Sequence, residues 1–234
     1  MRPTSLECVY ELAQKDERVV FIGSDLGPGV LDEFKEKFPE RFFMEGVAEQ
    51  HIVGMAAGLS LEGFIPYVNT IATFLTRRCY EQNVLDLGLH NTNVRLISNG
   101  GGTVYAPLGP THLAIDDIAI MRTIPNMTIV SPADADEMRR FMMQTLDHEG
   151  PIYIRLGKGY DPIVTSDKFP FKIGKGILMK EGSDVLIVTT GISLALALEA
   201  SDKLSKLFDG IHPTFRHVPP SVFLDSTQAV LRPN

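Results

Sequence analysis

The stretch Phe43-Met44-Glu45-Gly46-Val47-Ala48-Glu49-Gln50-His51, continued by Gly54-Met55-Ala56-Ala57-Gly58, decides how this chain is read. An apolar strand ends here and a helix of small residues begins, with the acidic Glu49 at the handover. A carboxylate in such a place is costly to bury unless it is protonated or meets a specific partner, which points to a bound group. Glycine inside a helix costs up to about 1 kcal/mol relative to alanine. Gly54 and Gly58 therefore imply close backbone approach, of helix to sheet or of helix to a symmetry mate.

Working outward, the same strand-to-helix alternation recurs. Short apolar runs stand at Val19-Val20-Phe21-Ile22, Phe42-Phe43-Met44, Ile65-Pro66-Tyr67-Val68, Val94-Arg95-Leu96-Ile97, Met127-Thr128-Ile129-Val130 and Ile152-Tyr153-Ile154. Nearly continuous runs of this kind suit strands covered on both faces, as in a parallel sheet. Helical patterns lie between them. Thr4 and Glu7 form a capping box ahead of Leu6, Val9, Tyr10 and Ala13, and further helices are predicted over 48–61, 73–87, 113–123 and 133–146. The result is an α/β domain, a doubly wound and mostly parallel sheet, over residues 1–160. Residues 161–173, with Pro162 and Pro170, read as a linker. A small, incomplete second α/β unit occupies 174–234. It has a buried strand over 184–190, a helix over 192–207 and one further strand near 214–218, thin for independent stability.

The 22 basic and 29 acidic residues give a net charge of −7, and no basic patch interleaved with aromatics occurs, which argues against nucleic-acid binding. Cys8 and Cys79 are far apart and without metal-ligand spacing, suiting a reducing compartment. No apolar stretch reaches membrane-spanning length and the N-terminus lacks a signal-peptide core, so a cytoplasmic protein is expected.

In a doubly wound sheet, ligands bind beyond the carboxyl ends of the strands. The loops expected there are unusual: Gly23-Ser24-Asp25-Leu26-Gly27-Pro28-Gly29, the segment 45–49, Asn99-Gly100-Gly101-Gly102-Thr103 running on to Gly109-Pro110-Thr111-His112, and Arg155-Leu156-Gly157-Lys158-Gly159. Singly, each is a tight turn; together they mark a site. Residues 45–156 also carry Gly46-Val47-Ala48-Glu49-Gln50, Arg78-Cys79-Tyr80-Glu81-Gln82, Asp116-Asp117-Ile118-Ala119-Ile120-Met121-Arg122, Pro125-Asn126-Met127-Thr128 and Ser131-Pro132-Ala133-Asp134. In order and spacing these strings closely resemble the pyrimidine-binding domain of transketolases, with weaker similarity from Ser5 to about Leu207.

The resemblance implies a thiamine diphosphate enzyme. It gives Glu49 the task of hydrogen-bonding the pyrimidine ring nitrogen and favouring the imino form, which takes a proton from the thiazolium carbon. The cofactor supplies the electron sink and the protein supplies position. Phe74 matches an aromatic that stacks on the aminopyrimidine, with Ile71 where a second aromatic often stands. Asp25 and Leu26 match a loop approaching the cofactor. His112 matches a histidine contacting donor-sugar oxygens, and Lys158 stands for an arginine that grips the substrate phosphate. Arg78 reads as an internal salt-bridge residue. Asn99 replaces a substrate-contacting histidine, and Leu108 stands where an aspartate often reads a sugar hydroxyl. A modified or less hydroxylated substrate is therefore implied.

The family holds the cofactor's diphosphate through Mg²⁺ or Ca²⁺ with a Gly-Asp-Gly motif on a separate domain, and this sequence has no Gly-Asp-Gly. The resemblance thus implies no metal ligands here and a site shared between protomers. It implies a partner, the N-terminal transketolase subunit carrying the diphosphate-binding domain, together with self-association and a small sugar-phosphate substrate. For the short C-terminal unit, a natural truncation, a frameshifted end and a fragment fit equally. The leading expectation is one subunit of a two-component transketolase moving a two-carbon ketol unit. The alternatives are a deoxyxylulose-phosphate synthase-like enzyme, a 2-oxo-acid dehydrogenase beta subunit, or a catalytically silent assembly subunit.

Overall fold

The computed structural model describes residues 1–24, 28–157, 159–207 and 213–217. A six-stranded sheet of order β2-β1-β3-β4-β6-β5 forms its centre, parallel throughout. Its strands are β1 (Val19–Gly23), β2 (Phe42–Met44), β3 (Ile65–Ile71), β4 (Arg95–Asn99), β5 (Thr128–Val130) and β6 (Ile152–Leu156). Alternate side chains enter opposite layers. Phe21, Tyr67, Ile97 and Ile154 join the core beneath α1 (Arg2–Lys15) and α7 (Ala135–Met142). Ile22, Val68, Leu96 and Tyr153 join the core beneath α3 (Glu49–Leu61) and α6 (Asp117–Met121). Each such fully buried aliphatic or aromatic side chain contributes about 1.5–3 kcal/mol, which is why continuous apolar runs select this doubly covered sheet.

The elements depart from expectation where local side chains compete for the backbone. Helix α1 begins at Arg2 with Pro3 in its first turn, so Thr4 lies inside it and caps nothing; proline's fixed φ favours that first turn. The helix expected over 73–87 is broken into α4 (Ala72–Leu75), α5 (Tyr80–Gln82) and a π-helical turn at Asn83–Leu89. Asn83 Nδ2 donates to Leu75 O (2.6 Å), capturing a carbonyl that a continuing helix would use, and Thr76 Oγ1 joins its own amide on Ala72 O (2.8 Å) at the residue where the helical dihedrals end. Only Asp117–Met121 of the expected 113–123 helix forms, because Ala114 exchanges backbone hydrogen bonds with Gly102. Between β2 and β1, α2 (Asp32–Lys37) buries Phe34.

The stretch 161–173 carries neither helix nor strand, yet it is fastened to α7. Val164 N and Thr165 N both donate to Asp134 Oδ2 at 2.7 Å, and Phe171 meets Phe141 edge-on at 5.6 Å. Beyond it, β7 (Ile177–Lys180), unforeseen in the sequence, β8 (Val185–Thr189) and β9 (Pro213–His217) form a sheet of order β7-β9-β8, with α8 (Ser193–Leu207) against it. The strand expected to be buried, β8, leaves Val185, Leu186 and Val188 exposed. Among the described residues α8 covers one face only. No helix of the described residues is long and apolar enough to cross a membrane.

Candidate active site

The carboxyl ends of β1, β2, β3 and β4 bring the candidate residues to one edge. After β2 the chain turns through Gly46, whose φ of +65° suits glycine, and Ala48 N returns to Gly46 O at 2.9 Å. That turn starts α3 at Glu49, placing the carboxylate at the positive end of the helix. The Glu49 side chain is 1% exposed and its Oε2 accepts from Arg78 Nη1 at 2.5 Å, while the Arg78 side chain is 42% exposed. The Arg78 guanidinium carbon stands 4.2 Å over the centroid of Phe74, whose ring in turn lies 5.1 Å from that of His112 at 67°. Glu49, Arg78, Phe74 and His112 thus form a continuous line.

Beside this line lies an open cleft of about 380 Å³ walled by Thr73, Phe74, Arg77, Arg78, Pro110 and Thr111. A larger groove, about 1110 Å³, runs past Asp16, Arg18, Arg41 and Glu62, away from these residues. The cleft's outer wall is held from several directions. Thr73 Oγ1 donates to Thr111 O (3.0 Å), and Arg77 Nη2 donates to Pro110 O (3.2 Å) and Leu113 O (3.1 Å). Thr111 Oγ1 lies 2.9 Å from His112 Nδ1. Behind it, Arg155 Nε donates to Asp117 Oδ2 (2.6 Å), which also accepts from Tyr153 Oη (2.8 Å). A Cβ on Gly101 would come within 2.7 Å of the Arg155 guanidinium carbon, so this loop needs its glycine there. Burial, with the neighbouring Asp117 carboxylate, pushes the Tyr153 phenol well up, keeping it a donor. Arg155 is therefore a fastener of the His112 loop.

Other candidates stand apart from the cleft. Ile71 is buried at the end of β3, in register with Asn99 of β4. Asn99 Nδ2 donates to Thr70 O (2.9 Å) and Asn69 Oδ1 (3.3 Å), whereas Asn99 Oδ1 and Asn69 Nδ2 are buried without a partner. Asn69 escaped the sequence reading, although a polar residue in the apolar run of β3 was its signal. Leu108 is exposed. Asp25, Leu26 and Lys158 lie outside the described residues. Burial pushes both thiols up to about 12, with the Glu49 charge adding to the effect at Cys79, so they behave as inert core residues.

The sequence profile of the transketolase pyrimidine-binding domain matches residues 1–160. The chain belongs to the transketolase family. It is 36% identical over 206 residues to the 6-deoxy-6-sulfo-D-fructose transketolase subunit SqwH of Clostridium sp. (strain MSTE9), covering 88% of this chain and 64% of that protein. It is 40% identical over 199 residues to the 1-deoxy-D-xylulose-5-phosphate synthase of Methylobacillus flagellatus, covering 84% of this chain and 32% of the synthase. A split-gene transketolase, solved as an inactive beta4 tetramer, superposes with a TM-score of 0.82 at 37% identity, over 92% of this chain and 70% of that one. This transketolase-family chain thus spans just under two thirds of its relative SqwH.

Family membership implies thiamine diphosphate, and the residues present fit its pyrimidine half. A buried carboxylate beside an aromatic face already holds a planar, cationic N–H donor in the form of Arg78. An aminopyrimidine has the same flat shape and, protonated at a ring nitrogen or in its imino form, offers a ring N–H to the same oxygen.

Proposed function

We propose that this chain is the pyrimidine-binding subunit of a two-component, thiamine diphosphate-dependent transketolase that transfers a two-carbon ketol unit between sugar substrates. The observation that carries the reading is Glu49, buried at the head of α3 beside the Phe74 face. When bound, the cofactor supplies the electron sink for breaking and forming the carbon–carbon bond. Glu49 holds a proton at the pyrimidine ring nitrogen, Phe74 gives the ring a flat apolar seat, and Ile71 closes the strand end beneath. Asp25 and Leu26 are assigned to the cofactor side of the site. His112, half-buried against the Phe74 ring beside the cleft, donates or accepts at substrate oxygens. Asn99 and Lys158 are assigned to substrate, the latter as a point charge without arginine's fork.

The diphosphate and its Mg²⁺ or Ca²⁺ fall to a partner subunit. The relative SqwH is named as a subunit, and the split-gene neighbour is an inactive beta4 tetramer; both favour a division of labour. The natural substrates are sugars bearing an anionic group, in keeping with the sulfo-sugar named for SqwH. Calorimetry with thiamine diphosphate and Mg²⁺ should give little heat with this chain alone and saturable binding with the partner present; tight binding to the chain alone would refute the shared site. Ketol transfer from xylulose 5-phosphate by the reconstituted pair tests the reaction. A second reading, deoxyxylulose-phosphate synthesis, is favoured by the identity to the synthase; formation of deoxyxylulose phosphate in place of ketol transfer selects it, and no turnover in either assay selects a silent subunit.

A further inference from the structure

Arg78 stands apart from the other arginines of this sheet edge. Arg77 is pinned by two backbone carbonyls and lies 3.9 Å from Asp116, and Arg155 is pinned by Asp117 and the Ala114 carbonyl. The contacts of the Arg78 guanidinium are instead Glu49, at 2.5 Å, and the face of Phe74, at 4.2 Å. Those are the two residues assigned above to the cofactor's pyrimidine ring. Arg78 also sits in the break between α4 and α5, where Thr76 departs from helical dihedrals (φ −99°, ψ −83°), so no helix holds its backbone rigidly.

We infer that the Arg78 guanidinium is a resident stand-in for the aminopyrimidine, occupying its seat on Phe74 and its hydrogen bond to Glu49 until the ring displaces it. This inference rests on the proposed function of Glu49 and Phe74. The chemistry of the two occupants matches: each is flat, each stacks on an aromatic face, and each presents N–H to a carboxylate. The exposures assign the direction of movement. Glu49 is sealed at 1% exposure beneath a side chain that is itself 42% exposed, so Arg78 reaches water by rotating its own stem, with no core to open. A buried carboxylate without a counter-charge is costly, and Arg78 removes that cost while no ring is bound. The consequence is a competition: the ring's apparent affinity is reduced by the fraction of molecules in which the guanidinium fills the seat.

The test uses the purified full chain and the free hydroxymethyl-aminopyrimidine half of thiamine as probe, with dissociation constants from ligand-observed NMR. Arg78→Ala is expected to bind the probe about fivefold more tightly than the parent chain, with a lower melting temperature of the ligand-free protein. Glu49→Gln added to Arg78→Ala should abolish the gain. Arg78→Gln, which keeps a hydrogen-bonding side chain without the charge, serves the same comparison if Arg78→Ala does not fold. Equal, weaker or undetectable binding to the folded Arg78 variant overturns the inference, because an emptied seat must accept the ring at least as well. A probe that binds but ignores Glu49→Gln in both backgrounds instead overturns the reading of the site.

Discussion

Glu49 and Arg95 are both charged side chains inside this molecule, and they are buried for different reasons. Glu49 meets one partly exposed cation, Arg78, which itself lies over the flat face of Phe74. Replacing it by Gln keeps size and shape but removes the group proposed to hold a proton at the ring. In the reconstituted enzyme we expect Glu49→Gln to lower kcat at least about 100-fold, with Tm changed little, as measured by steady-state ketol transfer alongside thermal unfolding. Arg95 is fully buried on β4 and is satisfied by the carbonyls of Thr145, His148 and Gly150, at 2.5–3.0 Å. Burial lowers its pKa to about 10, leaving it charged at neutral pH. Arg95→Ala strips these carbonyls of their donors and opens a cavity, for an expected loss of about 3–5 kcal/mol in urea unfolding.

Among the elements, α7 shows how one helix end joins the two parts of the chain. Asp134 caps it by accepting from Glu137 N at 2.9 Å, and its other oxygen takes the Val164 and Thr165 amides of the stretch 161–173. Burial pushes the Asp134 carboxyl up, but these amides and the Thr165 hydroxyl outweigh it and hold the pKa below its ordinary value of 3.8. The group therefore binds fewer protons folded than unfolded. Its stabilisation is complete above pH 3.8 and is lost as pH falls through the lower folded value. Asp134→Asn should flatten the acid limb of stability against pH and cost about 1–2 kcal/mol at pH 7, measured by chemical denaturation across pH. An unchanged acid limb would show that other carboxylates govern it.

At the scale of the whole molecule, the small second sheet is not an independent body. Phe171 and Ile177 enter the same core as α1 and α7, and Leu194 of α8 packs on Ala133. Phe171→Ala should therefore lower the stability of the entire described fold by about 3 kcal/mol in a single transition, followed by circular dichroism. Two separated transitions would mean that the units unfold independently.

The parallel sheet and the role of its apolar runs were legible in the sequence because a strand covered on both faces needs nearly every side chain apolar, and that requirement is local. The motif around Glu49 was legible for a similar reason: a strand end, a glycine turn and a helix start follow one another along the chain. The capping box at Thr4, the continuous helix over 73–87 and the burial of β8 were misread. The first had a local cause, Pro3 in the helix's first turn one residue before Thr4; the other two depended on what stood nearby in space, Asn83 reaching back to Leu75 and a sheet covered on one face among the described residues.

The chain's own order of residues determined which elements form, their layering into an α/β sheet and the edge at which its unusual loops collect. Tertiary structure alone decided that Arg78, 29 residues from Glu49, would lie against it and over Phe74, and that Asn69 would meet Asn99. Periodicity reports which face of an element is apolar, whereas the meeting of two polar groups depends on how distant loops fold over a shared edge.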